Sequence, residues 1–328
     1  PYTVSHHKSS LLIAGMFSFF NAGSCSNQSN HLFKSGAVHQ AVHLRGCKFA
    51  SGAYVMSPAL EGAFTMIMGH HSYHHDTSAL PFSYLIERDG HSRLMPGANL
   101  TSYGTVRDVE KWPARDRRKV GRDVINFEEY NPYFTQAMLR AVDTLHALRE
   151  QDPDAAEYSY NKTLIRASAL ERGLRLYNKA IVAALGAMLG KGSDEARYDG
   201  SGDWFDAAGQ FITRREMERT LDDIDRGALV STEEVDNRFR VFAVHYDDYA
   251  HSWALRVYAS LLGHVPTVEE INDAIAAGRN AHEAMRRMTD ADRERDESLE
   301  MAVGYGLDAA DERQRIDDYR IVRGLGRP

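Results

Sequence analysis

The sequence predicts an α+β protein, with a β-solenoid at the front and an α-helical domain behind it. Two observations carry that reading. Residues 1–104 are rich in Gly, Ser, Ala, Phe and His and poor in charge, whereas from 133 onward apolar residues recur at helical spacing. Residues 44–67 also divide into four hexads, Leu44–Phe49, Ala50–Val55, Met56–Glu61 and Gly62–Ile67, with small residues at the turns. Three six-residue steps to a coil is the rhythm of a β-solenoid. The competing reading of the same pattern is an irregular β-sandwich. Segregated strands and helices point to α+β or two domains rather than alternating βαβ units.

The elements follow in order. The front segment, 1–104, has short apolar clusters such as Phe17–Phe20, Tyr54-Val55 and Phe64–Met68 between recurrent glycines, the pattern of short strands and tight turns. Residues 105–130 form a charged bridge, where Pro113 is expected to interrupt any helix. The segment 131–328 is the α-helical domain. Asn131-Pro132 reads as N-cap and first helical residue. Met138, Val142, Leu145 and Leu148 then share one face. Residues 154–189 read as a helix pair or one bent helix, and 204–226 as another helix. Ser231-Thr-Glu-Glu234 and Thr267-Val-Glu-Glu270 are capping signals ahead of 235–262 and a last long, highly charged run.

Composition limits function. The chain has 328 residues, 43% of them hydrophobic, and a net charge of −7, which supports a packed core. No basic stripe points to nucleic acid, and no run of about 18 apolar residues points to a membrane span. Cys25 and Cys47 are the only cysteines and form no CxxC pair. That usage predicts a cytoplasmic protein, with a Cys25–Cys47 disulfide left open. The chain opens on Pro1 without a signal-peptide pattern, the expectation for a trimmed chain or a fragment with further units upstream.

Histidine is the clearest chemical signal. Ten of the fifteen histidines lie within the first 91 residues. Between Ser9 and Met68 the only charged side chains are Lys34, Arg45, Lys48 and Glu61. Imidazole binds metals and moves protons near neutral pH. His39 and His43 are four apart, a spacing that shares a face on a helix or a strand, with no carboxylate partner close in sequence. They read as a catalytic base, as metal ligands or as structural residues. His74, His75 and Asp76 read as a zinc site, as an imidazole oriented by a carboxylate, or as a solvent-facing loop. Asn30 and His31 lie in a Ser/Asn turn that could hold a sugar hydroxyl or thioester carbonyl, or satisfy turn backbone. Lys34 and Arg45 could face a phosphate or carboxylate, or be ordinary surface charges. No GxGxxG, phosphate-binding loop or nucleophile elbow is present.

The front half and bridge resemble a poorly characterised bacterial family with a left-handed β-helix core and a helical C-terminal extension. The resemblance rests on Gly23-Ser24 with Ser29-Asn30-His31, Arg45-Gly46, Asp76 with Leu80-Pro81-Phe82-Ser83, Met95-Pro96, and Trp112 with Arg115–Lys119. It implies a hexapeptide-repeat superfamily that includes acyltransferases, nucleotidyltransferase tails and γ-type carbonic anhydrases, often trimeric.

Together these readings predict a transferase that moves an acyl group or acts on a nucleotide-activated sugar. Its donor would be acyl-CoA or a nucleotide sugar. His31, His39 and His43 are the candidates for proton chemistry, and Asn30, Lys34, Arg45 and Asp76 for substrate binding. A zinc enzyme using His74 and His75 is one alternative. A non-enzymatic trimeric scaffold or carbohydrate-binding protein is another. The expected partners are a small-molecule or sugar substrate and further copies of the chain as a homo-oligomer, favouring a trimer.

Overall fold

The computed structural model describes residues 3–5, 20–27, 41–115, 117, 119–121, 124–193 and 198–323. The front strands are β1 (Thr3–Ser5), β2 (Phe20–Ala22), β3 (Val42–His43), β4 (Lys48–Phe49), β5 (Tyr54–Val55), β6 (Leu60–Glu61), β7 (Met66–Met68), β8 (His70–His71), β9 (Tyr84–Arg88) and β10 (His91–Met95). Helices α1 (Tyr103–Arg115) and α2 (Pro132–Gln151) follow, then strands β11 (Glu157–Tyr160) and β12 (Thr163–Arg166) and helix α3 (Ala167–Leu189). The remainder is β13 (Trp204–Ala207), β14 (Gln210–Thr213), α4 (Arg214–Asp225), α5 (Thr232–Val244), α6 (Tyr246–Leu262), α7 (Val268–Asp296) and α8 (Glu312–Arg323).

The protein is α+β, but its strands correct the predicted β-solenoid. The main sheet runs β1-β2-β4-β7-β9-β10-β12-β11. Its first four pairings are parallel, β9–β10 is antiparallel, β10–β12 is parallel and β12–β11 is antiparallel. This mixed sheet overturns the expected left-handed β-helix and its hexapeptide repeat. The Asp89-Gly90 turn, with φ of 57° and 75°, folds β10 back on β9. Strand β10 then joins β12, so the sheet continues into the second half of the chain. The six-residue rhythm corresponds to two- and three-residue parallel strands whose register places Lys48 opposite Met66, and Met66 opposite Tyr84. The pairs β3–β6 and β5–β8 form separate parallel sheets.

Three helical expectations are also corrected. Residues 157–166 form a hairpin ahead of α3, closed by Asn161 and Lys162 at positive φ. Residues 204–213 form a second hairpin ahead of α4, closed by Ala208 and Gly209 at positive φ. Pro113 lies inside α1, in its last turn, rather than ending the helix before it. The caps form as their sequences predict. Asn131 accepts from the Phe134 amide, and Ser231 and Thr267 each close a capping box. Helix α5 ends at Val244 and α6 starts at Tyr246, so the run 235–262 is divided at His245.

One core joins the two halves. Phe64 stacks on Phe82 at 5.0 Å, and both meet Phe134 of α2 edge-on. Phe134 in turn meets Phe211 of β14 edge-on. In the helical half, α3 and α7 cross at glycine. A Cβ on Gly186 would stand 2.6 Å from the Gly278 Cα, so only hydrogen fits between the two backbones.

Candidate functional site

The front strands gather a buried cluster of histidines around one carboxylate. Parallel pairing of β3 with β6 sets His43 directly opposite Glu61. Leu60 donates its amide to the His75 carbonyl, which brings the segment after β8 alongside. One oxygen of Glu61 accepts a short hydrogen bond from His43 Nδ1, and the other accepts from His75 Nε2 at 3.0 Å. The side chains of all three are fully buried.

Burial alone would raise the Glu61 pKa, but His43 and His75 outweigh it and hold the carboxyl at about 2. Glu61 is therefore ionised at neutral pH and acts purely as an acceptor. His75 Nδ1 faces the Tyr73 carbonyl at 3.2 Å, so both of its nitrogens meet acceptor oxygens. His43 differs. Its Nδ1 is committed to Glu61, while its buried Nε2 has no hydrogen-bond partner among the described residues. Phe20 stacks on the ring at 5.1 Å, and Phe49 meets it edge-on at 5.0 Å.

His71 packs edge-on against His75, with ring centroids 5.8 Å apart. Its Nε2 donates to the Met68 carbonyl at 3.1 Å, and its Nδ1 accepts from the Ser92 hydroxyl at 2.8 Å. That is the pattern of a neutral ring. Burial first, and His75 second, push its pKa down to about 4. The buried Cys47 thiol is pushed well up by burial and then by Glu61, so it stays protonated; Cys47 is a free thiol, which closes the Cys25–Cys47 disulfide alternative.

The other expected residues fall elsewhere. His31, His39, Asn30 and Lys34 lie outside the described residues. Arg45 is buried and occupied by the protein itself. It makes a bidentate pair with Asp206 at 2.7 and 2.8 Å and donates to the Asn126 and Gly209 carbonyls. Its guanidinium also lies 4.1 Å from the centre of the Phe211 ring. It fastens the front strands to the β13–β14 hairpin. Asp76 closes a local turn by accepting from the Ser78 amide and hydroxyl. His74 is exposed and points to the Pro58 carbonyl, while His75 is committed to Glu61, so the two do not share a ligand site. Among the described residues, no group of three or more His, Cys, Asp or Glu is arranged to hold a metal ion.

Glu61 was missing from the sequence-level site, although it is the sole acid between Ser9 and Met68. A search for the partner of His43 in neighbouring residues fails because the partner lies 18 positions away, across a parallel strand pair. An isolated acid in an apolar stretch, at an inward-facing position, was the available signal.

Two family models match the chain. Residues 1–149 match one described as Domain of unknown function (DUF4954), and residues 191–326 match Domain of unknown function (DUF6819). No curated protein and no solved structure matches the chain. Among the described residues, no helix is long and apolar enough to cross a membrane.

Proposed function

We propose that the protein is a group-transfer enzyme in which His43 is the general base, transferring an acyl group or acting on a nucleotide-activated sugar. The observation that supports this is the Glu61–His43 pair: the carboxylate fixes the Nδ1–H tautomer and leaves Nε2 bare. Such a ring accepts a proton at Nε2 from an acceptor hydroxyl or amine as that atom bonds to the acyl carbon or sugar C1; the bond to the coenzyme A thiolate or nucleoside diphosphate breaks, and the imidazolium, stabilised meanwhile by Glu61, returns its proton to that leaving group. A cytoplasmic setting, supported by the scarcity of cysteine and the absence of a CxxC pair, and a homotrimer are part of this reading.

A second, non-enzymatic reading is supported by the burial of the same cluster. His43 and Glu61 expose none of their side chains, as suits charges that fix strand register in a scaffold. One experiment separates the two. Purified protein is incubated with acetyl-CoA or a nucleotide sugar and a panel of amine and hydroxyl acceptors, and donor consumption is followed. The enzymatic reading expects turnover that falls by roughly 10²–10⁴ in His43→Ala, with circular dichroism unchanged. Wild-type-like turnover in His43→Ala overturns His43 as the base, and no turnover with any donor favours the scaffold.

A further inference from the structure

A cavity of about 510 Å³ opens where α1, the segment before α2, and α7 meet. That is within the size range of small-molecule sites. Val106 and Val109 of α1 and Met285 of α7 give it apolar walls, and Glu110, Glu129 and Tyr130 line it as well. Glu129 is the anomaly: its Oε1 is sealed from solvent and has no hydrogen-bond partner among the described residues. A buried carboxylate oxygen left unpartnered costs about 1–3 kcal/mol or more, so its persistence calls for an occupant that donates.

The charge of the lining indicates the sign of that occupant. Two arginines also border the cavity, but each is engaged on its own helix. Arg293 bonds Glu297 at 2.7 Å and lies over the Tyr103 ring, and Arg286 faces Asp290 at 3.9 Å. His282 also lines the cavity and packs edge-on against Tyr130, and among the described residues neither Glu110 nor Glu129 has an ion-pair partner. Burial first, and the nearby Glu110 second, raise the Glu129 pKa to about 7, the response of a carboxyl that lacks a cation.

We infer that this cavity binds a small alkylammonium ion, its N–H groups donating to Glu129 and its hydrocarbon part lying against Val106, Val109 and Met285. The site is separate from the His43–Glu61 cluster and does not depend on the proposed activity. An N–H donor is required, because only a donor satisfies Oε1. A quaternary ammonium carries the charge but not the hydrogen bond.

Calorimetric titration of the full chain with n-butylammonium chloride tests this. The result expected is saturable one-site binding, weakened roughly tenfold or more in Glu129→Gln, as follows from losing a charge-assisted hydrogen bond. Tetramethylammonium and n-butanol should each bind at least about tenfold more weakly than n-butylammonium. Glu110→Gln and the two control ligands give a second comparison in folded protein. Absence of saturable binding to the wild type overturns the inference. So does equal binding of n-butylammonium by the wild type and the folded variants, or equal binding of butanol.

Discussion

Replacing Glu61 by Gln should cost the protein several kcal/mol, and the cost should fade in acid. Glutamine keeps the shape but supplies one acceptor oxygen where the structure needs two. Its amide N–H₂ would face an imidazole N–H of either His43 or His75, so one hydrogen bond becomes a donor–donor contact. Two routes give the magnitude. Holding Glu61 at about 2, against an ordinary value of 4.5, is worth about 3 kcal/mol at about 1.4 kcal/mol per tenfold change in proton affinity. Leaving a buried imidazole N–H without its acceptor costs about 1–3 kcal/mol or more, and a donor–donor contact adds to it.

The sign over pH follows from linkage. A carboxylate whose folded pKa is depressed contributes stability that is full above about 4.5 and is lost as pH falls through about 2. His71, held at about 4, also destabilises the fold in acid, between pH 6.5 and 4, but does so in both proteins. Glu61 itself holds the His71 pKa up, a smaller influence than burial and His75, so the difference between wild type and Glu61→Gln in acid is dominated by the carboxylate. Urea unfolding followed by circular dichroism at pH 7, 5 and 3 should give a gap of about 3 kcal/mol or more at pH 7, narrowing at pH 3. A gap under about 0.5 kcal/mol at pH 7 would refute the reasoning, as would one that does not narrow in acid.

Three further outcomes are expected. Arg45→Lys keeps the charge but loses the fork that holds Asp206 and both carbonyls, and should destabilise by about 3 kcal/mol in urea unfolding; an unchanged midpoint would contradict the fastening role. Gly186→Ala places a methyl group against the Gly278 backbone and should cost about 1–3 kcal/mol by forcing α3 and α7 apart, whereas a neutral effect would mean the crossing is looser than described. Glu129 has a raised pKa, so the folded state loses stability as pH rises from 4.5 through about 7. Glu129→Gln should therefore gain up to about 3 kcal/mol over wild type at pH 8 and little at pH 4. Parallel stability curves for the two proteins across that range would contradict the burial of the carboxyl.

Much of the helical half was legible because its signals are local. Asn131-Pro132 and the two capping boxes each act within four residues, and the structure forms them where the sequence places them. The two hairpins were misread for a reason also visible locally. In Glu157–Arg166 the inward residues Thr163 and Ile165 alternate with outward ones and Asn161-Lys162 supplies the turn, but Leu164, Ala167, Leu170 and Leu174 also fit a helical spacing that continues into α3. The sheet was less legible. The small residues and hexads of 44–67 mark short parallel strands, yet nothing local shows that β10 pairs with β12, some 70 residues on. The candidate site was half legible. Imidazoles in an apolar stretch pointed to His43 and His75, but the acid that joins them is set by strand register. Arg45 was misplaced because its partner Asp206 lies 161 residues away, beyond any sequence window.

The central claim is that Glu61 holds His43 as the Nδ1–H tautomer with Nε2 bare, and it can be read directly from the ring. Histidine-selective ¹⁵N NMR at pH 7 should show His43 with a protonated Nδ1 and an unprotonated Nε2, and that pattern should be lost in Glu61→Gln. A His43 signal with its proton on Nε2, or one indifferent to the loss of Glu61, would contradict the account.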